Sequence, residues 1–537
     1  MVGKRGWILL LTTLFLVITG LTLQRREQEI VWEQAGVTKA EALEAECCGD
    51  AETEEESEEE NGRDAAGGGQ GTEDTERGDE GESERFSSEA VEENSSEVSE
   101  AFAGTSASWG SLAVSAASPS SYRLSAFEQG DGGLSIRVLI GTSDYAELLH
   151  DAVLVTSDED FLMEGTQQDT VYAAGTEVDV TPDFLERYGG RVIFSGSGSF
   201  YLLNVERSCG TPAYPGTIEC TNYSGQIGVV NELLLEEYLE LVVPAEMPDS
   251  YGMEALKAQA VCARSYSCSQ MLEGKYASYG ADVDDSTASQ VYNNQAWSEK
   301  AAEAVAATVG EVLVNEGEIV EAYYYSTSCG YGADVSVWTD SVVCSFVAAS
   351  SLTVSREVLD LSGEVSFRQF LESSQDSWDS DSPWFRWTAD RSVNELTELV
   401  NTWLTGQNRN PVGTVTGMTV EERLESGAVI ALGVSDTEGR TEITGTDNIR
   451  NLLGSSSLTV MRQDGSEQAG MSLLPSAFFY VEETEEGWCL HGGGFGHGVG
   501  MSQDGADGMA EQGYTYPSIL SFFYRDVELC RLYDHVQ

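Results

Sequence analysis

Residues 235–266 read LEEYLELVVPAEMPDSYGMEALKAQAVCARSY, and the change of rhythm in this stretch decides the fold class. Upstream, apolar residues alternate or come in short runs (SIRVLI, DAVLVTS, TVYAAGTEVDV, RVIFSG, SFYLLNV) broken by Gly, Asp and Ser, which is the pattern of strands. Here Leu234, Tyr238 and Leu241 recur at helical spacing instead. The spacing predicts a helix N-capped by Asn231 and stopped at Pro244, then a second helix over residues 253–271. Leu256, Ala260, Ala263 and Ser267 give the second helix a face of mostly small residues for close packing. Strand-like alternation returns in residues 311–328 and 417–436. The expected fold is α+β: a strand-rich N-terminal region, then a mixed α+β domain in which a helical pair carries a lone glutamate.

That glutamate, Glu246, lies between Pro244 and Pro248 and beside Val242, Val243 and Met247. An apolar setting raises a carboxyl pKa and suits it to give up a proton near neutrality. The positive end of the following helix acts the other way. An ordinary surface-loop glutamate is the competing reading. Lys257 and Arg264 lie two turns apart on the second helix and form a candidate clamp for an anionic or hydroxylated ligand, with a solvated helix face as the alternative. Tyr325, Ser326 and Thr327 end an apparent strand before a Gly-rich turn. No G-x-S-x-G elbow surrounds Ser326, which disfavours a serine hydrolase. In residues 491–516, dense glycine permits close backbone approach and makes His497 and Gln503 candidate pocket residues. These glycines match no phosphate cradle. Cys489, His491 and His497 match no zinc spacing, and no metal or cofactor is expected.

Composition narrows the partners. The 537 residues include 91 Asp+Glu against 28 Lys+Arg, a formal net charge of -63, which excludes nucleic acid as a partner because a polyanion needs a basic footprint. Much of the acidity sits in residues 50–100, a Glu/Ser/Gly tract too poor in apolar groups to order itself. Lys4 and Arg5 precede an apolar run from Trp7 to Leu23, Arg25 and Arg26 follow it, and no A-x-A site appears. An uncleaved single-pass membrane anchor is expected, with orientation undecided by charge. There are ten cysteines and no C-x-x-C. Cys209 with Cys220 and Cys329 with Cys344 are candidate local pairs, and free buried thiols are the alternative. The chain is expected to divide into an anchor (1–25), an acidic linker (26–123), a strand-rich subdomain (124–223) and the mixed α+β domain that carries Glu246 (224–537).

Seven motifs, in order and spacing, carry a resemblance: PAEMP (244–248), EALKAQAVCARSY (254–266), QVY (290–292), TVGEVLV (308–314), YYYSTSCGYG (323–332), PWFRW (383–387) and GFGHGVGMSQDGADGMA (494–510). Together they resemble the SpoIID/LytB family. The resemblance implies a membrane-anchored lytic transglycosylase that acts outside the cytoplasm on peptidoglycan glycan strands whose stem peptides an amidase has removed. It implies Glu246 as the catalytic acid and then base. It also implies Gln259, Tyr325, Ser326, Thr327, His497 and Gln503 in the substrate cleft beside Lys257 and Arg264. A peptidoglycan amidase and a membrane partner of the engulfment machinery are implied partners. Sporulation and general wall remodelling both remain open. LytB-type relatives imply a second reading, a non-catalytic wall protein that enhances an amidase. A third, an acidic cation-binding surface protein, rests on composition alone. Two departures stand out. Some members bind zinc through a Cys/His cluster before the QVY motif, but residues 280–292, GADVDDSTASQVY, contain neither residue. Cys329-Gly330 replaces the usual double glycine.

Overall fold

The computed structural model describes the Val114–Ser115 strand and residues 133–143, 145–166, 168–338, 346–373 and 376–533. The expected anchor, the acidic linker apart from Val114–Ser115, and Cys344 lie outside the described residues, and that two-residue strand pairs in parallel with Leu529 and Cys530. Among the described residues, no helix is long and apolar enough to cross a membrane.

The architecture is α+β, as the change of periodicity implies. The strand-rich region supplies β1 (Ser135–Leu139), β2 (Val153–Ser157), β3 (Phe161–Gly165), β4 (Thr170–Tyr172) and β5 (Val178–Val180). After the short helix α1 (Pro182–Arg187) come β6 (Arg191–Gly196), β7 (Phe200–Leu202), β8 (Ala213–Tyr214), β9 (Thr217–Tyr223) and β10 (Gln226–Leu234). A later strand, β11 (Val283–Asp284), completes a seven-stranded sheet in the order β11-β1-β10-β9-β6-β3-β4. A four-stranded sheet follows the order β5-β2-β7-β8. Alternation is plain in β2, where Val153, Val155 and Ser157 are buried and the residues between them are not.

Strands β9 and β10 form a tight hairpin with Tyr223 opposite Gln226. Its two turn residues, Ser224 (φ 58°) and Gly225 (φ 100°), are both left-handed, as such a turn requires. The expected division at 223/224 therefore falls inside one hairpin. Ile136, Val229, Leu239 and Leu256 belong to one core, so the strands and the helical pair do not form separate units.

The helical pair corrects two expectations. Asn231 caps nothing. It sits fully buried within β10, where its Nδ2 donates to the carbonyls of Pro215 (2.7 Å) and Thr217 (3.0 Å) and its Oδ1 accepts from Tyr292 Oη (2.6 Å). The run QIGVVNELL lies between two strands and is covered almost throughout, so it reads as an apolar block in either periodicity. The helix α2 begins only at Leu235 and runs through Pro244 to end at Glu246 (Leu235–Glu246). The backbone turns out only at Met247. The second helix, α3 (Met253–Glu273), matches the expected span and ends at Gly274, whose left-handed φ of 70° suits glycine.

Next come α4 (Glu299–Ala307), β12 (Glu311–Asn315), β13 (Tyr324–Tyr325) and α5 (Glu364–Glu372). Residues 387–490 then enclose a second core of their own, including Leu396, Val400, Leu432, Ile449 and Leu490. It is built from β14 (Trp387–Ser392), α6 (Val393–Gly406), β15 (Val415–Arg423), β16 (Val429–Asp436), β17 (Arg440–Thr444), α7 (Thr446–Leu453), β18 (Thr459–Arg462), β19 (Glu467–Ala469), β20 (Phe479–Glu483) and β21 (Gly487–Gly492). The sheets are β19-β18-β14-β21-β20 and β15-β16-β17. The chain then returns to the first core through β22 (Met501–Ser502), which pairs with β13, followed by α8 (Gln503–Glu511), α9 (Tyr516–Phe523) and β23 (Glu528–Arg531).

Candidate active site

Glu246 is the last residue of α2. Its neighbours Val242, Val243 and Met247 are fully buried. One carboxylate oxygen accepts the Val291 N–H at 2.8 Å, and the side chains of Gln503 and Tyr324 also hydrogen-bond the carboxyl. Burial outweighs these three contacts and pushes the Glu246 pKa up to about 7. The helix end next to it is the negative end of α2, which also disfavours the ionised form. Among the described residues no cation pairs with it.

The groups around this carboxyl are held in turn. Gln290 accepts from Tyr238 Oη (3.1 Å) and Ser267 Oγ (2.7 Å), and it donates to the Ala263 carbonyl (3.2 Å) and Tyr324 Oη (3.1 Å). Tyr292 stacks on Tyr238 with ring centroids 5.0 Å apart. These contacts fix the Val291 N–H between Gln290 and Tyr292, and they fix the Tyr324 hydroxyl. Gln503, at the start of α8, also donates to Gln259 Oε1 of α3 at 3.4 Å, while the buried Gln259 Nε2 has no partner. The PAEMP, ALKAQAV, QVY, YYYSTS and MSQDG segments therefore meet at one carboxyl. Val291, Tyr324 and Gln290 are the residues that sequence reasoning missed. The QVY and YYY segments stood out, but nothing in them marks which atom faces Glu246.

Ser326 and Thr327 lie one step from this cluster. Thr327 Oγ1 donates to Asp504, the neighbour of Gln503, and the Asp504 N–H donates to the Ser326 carbonyl at 3.0 Å. Ser326 Oγ pairs with Thr327 Oγ1 at 3.1 Å. Tyr325 is buried, and its ring lies 5.6 Å from that of His497. The His497 Nδ1 accepts the Val499 N–H at 3.1 Å, which leaves the ring proton on Nε2. Burial, helped by the Arg450 charge, pushes the His497 pKa down to about 4, so the ring is neutral at physiological pH. Tyr325 and Trp338 flank the ring, which ties the Gly-rich loop to the YYY segment.

The expected Lys257–Arg264 clamp does not form. Arg264 is fully buried, bonds Glu236 through Nε (2.8 Å) and Nη2 (2.7 Å), and donates from Nη1 to the Glu311 carbonyl (3.1 Å). Glu236 is completed by the Gly310 N–H (3.1 Å) and Tyr533 Oη (2.7 Å). The physical reason is that α3 packs against α2, α4, α8, α9 and β12, so its Arg264 face is interior. Lys257, partly exposed, pairs with Glu254 at 2.7 Å and lies 5.9 Å above the Tyr516 ring. Cys209 and Cys220 are both free thiols, one exposed and one buried, and form no loop-closing pair; Cys329 is free and buried. His491 stacks on Tyr480 and meets Glu482 at 3.1 Å. Among the described residues no group of three or more side chains could hold a metal ion.

Geometry thus defines a class: an α+β protein in which a helix-terminal carboxyl is held by a backbone N–H and two side chains, in a setting that pushes its pKa up. The family described as Stage II sporulation protein matches residues 223–315, which hold Glu246 and its α3 and QVY surroundings. A domain of unknown function matches residues 338–500, which include the second core. Stage II sporulation protein D of Bacillus amyloliquefaciens is 30% identical over 315 residues, 56% of this chain and 75% of that protein. Stage II sporulation protein D of Bacillus subtilis is 29% identical over the same length and shares. An amidase enhancer of Bacillus subtilis is 31% identical over 300 residues, 53% of this chain; the match spans only 39% of that relative's length. The chain belongs to the stage II sporulation protein D family.

Proposed function

We propose that this chain is a lytic transglycosylase that cuts the glycan strands of bacterial peptidoglycan, with Glu246 as its acid and then its base. One observation carries the reading: the Glu246 carboxyl is held by the Val291 N–H and two side chains with no cation paired to it among the described residues, and burial there pushes its pKa up to about 7, where both forms serve near neutrality. The protonated carboxyl gives its hydrogen to the glycosidic oxygen between N-acetylmuramic acid and N-acetylglucosamine. The C1–O bond breaks and the glucosamine leaves with a new hydroxyl. The muramic 6-hydroxyl then attacks C1 and returns its proton to the Glu246 carboxylate, which closes a 1,6-anhydro ring. No water is consumed and the carboxyl ends as it began. One group performs both steps, unlike the two-carboxylate arrangement of most glycosidases.

In this reading residues 7–23 hold the chain in the cell membrane, the acidic tract spaces the folded part from it, and the bulk lies outside the cytoplasm. An amidase supplies stripped strands, and a membrane partner of the engulfment machinery is a further candidate. The role falls in cell-wall remodelling or sporulation. A second reading, a non-catalytic enhancer of a wall amidase, is favoured by the match to the amidase enhancer. The two part at Glu246. Purified chain and Glu246→Gln are incubated with amidase-treated wall, and anhydro products are counted by mass spectrometry. Loss of general acid–base catalysis predicts about 10²–10⁴-fold less release from the variant. Equal or no release from both, with faster amidase action on intact wall, favours the enhancer.

A further inference from the structure

The second core carries a cavity that the Glu246 chemistry does not use. It measures about 280 Å³ and lies where the end of α5 meets β14, β18, β20 and β21. Tyr480 and His491 are register partners on β20 and β21, and their rings stack at 4.8 Å and 12°, which makes one wall flat. Arg386 and Arg462 both line the space. Neither has a carboxylate partner among the described ion pairs. Arg386 donates to the carbonyls of Leu371 (2.8 Å), Cys329 (3.0 Å) and Phe385 (2.7 Å), while its Nη2 is buried with no acceptor. Arg462 stands 5.2 Å over the Trp384 ring, and its Nε is likewise buried without an acceptor.

Asp464 acts on Arg462 and Asp379 on Arg386 only from beyond ion-pair distance, so two guanidiniums without a carboxylate in contact among the described residues share one cavity and need an explanation. The carboxylate that lines the same space does not neutralise them. Glu372 is taken by Arg368 Nε (2.8 Å) and Tyr480 Oη (3.0 Å), and that arginine also lies 4.6 Å over the Tyr480 ring. Its charge is answered at the rim.

We propose that this cavity binds a small ligand in which a carboxylate adjoins an amide. The two arginines offer charge-assisted hydrogen bonds to the carboxylate, and the His491 end of the Tyr480–His491 stack, opposite the side that Arg368 covers, offers a flat face to the amide plane. That chemistry occurs at the C-terminus of an acylated peptide and on an N-acetylated acidic sugar. The site does not require Glu246 to be catalytic. Full-length chain is titrated calorimetrically with N-acetyl-D-alanyl-D-alanine, N-acetylmuramic acid and N-acetylglucosamine, the last lacking the carboxylate. Saturable binding of either carboxylated probe, with none of the neutral sugar, is the expected result, and the probe that binds identifies the source. Arg462→Gln weakens that binding at least about tenfold and Arg462→Lys less, because lysine keeps the charge but loses the fork. Glu246→Gln binds as the parent does, which separates this site from the catalytic reading. Arg462 is the residue to change because Arg386 also braces three backbone carbonyls. No binding of either carboxylate, equal binding of the neutral sugar, or an Arg462→Gln protein that binds like the parent overturns the proposal.

Discussion

At the start of helix α2 Glu236 meets Arg264, and at its end Glu246 meets only N–H and side-chain hydrogen-bonding groups. Glu236 is buried and Glu246 half-buried, yet their chemistry diverges. A buried carboxylate with a bidentate guanidinium is locked as an ion pair and cannot trade its proton without stranding the partner. A desolvated carboxyl without a cation is free to titrate, and the surrounding apolar groups move its pKa toward neutrality. The difference lies in the neighbour, since residue type and helix are the same.

The largest expected effect breaks the paired end. Arg264→Ala leaves Glu236 buried and uncompensated, and it lowers unfolding free energy by about 3–5 kcal/mol in urea titration. A loss below about 1 kcal/mol contradicts the core role assigned to this pair.

A smaller effect reads the unpaired end. The Glu246 pKa is raised from its ordinary 4.5 to about 7 in the folded chain, so folding favours the protonated form. That contribution is complete below the unfolded value and is lost as pH rises through the folded one. Glu246→Gln stays neutral throughout. Relative to the parent it gains stability between those two pKa values, by at most about 3 kcal/mol at alkaline pH, and gains none in acid. Thermal unfolding of both proteins across pH measures this, and a gap that does not change with pH removes the raised pKa.

The finest test adjusts one contact. Gln503→Met removes a side chain that stabilises the ionised carboxyl and raises the Glu246 pKa further. The alkaline limb of the activity–pH profile then moves upward, together with any change in rate. An altered rate with an unmoved limb makes Gln503 a packing residue only.

Several of these features were legible in the chain itself. The span of α3 followed from its small-residue spacing. The apolar surroundings of Glu246 followed from the residues that adjoin it, Val242, Val243 and Met247, all of which are buried. Asn231 was misread because an apolar block between two strands has no polar face to reveal its period. Pro244 did not stop the helix, which continues to Glu246 with the proline inside it. Arg264 looked like a ligand residue because spacing along a helix reports which residues share a face and says nothing of what covers that face.

The sequence by itself determined the fold class, the family and the glutamate worth watching, since periodicity and motif order are properties of the chain. Only the tertiary structure decided which charges are answered. A partner such as Glu236 for Arg264, or its absence at Glu246, is set by residues distant in the chain, and desolvation acts only once packing has excluded water.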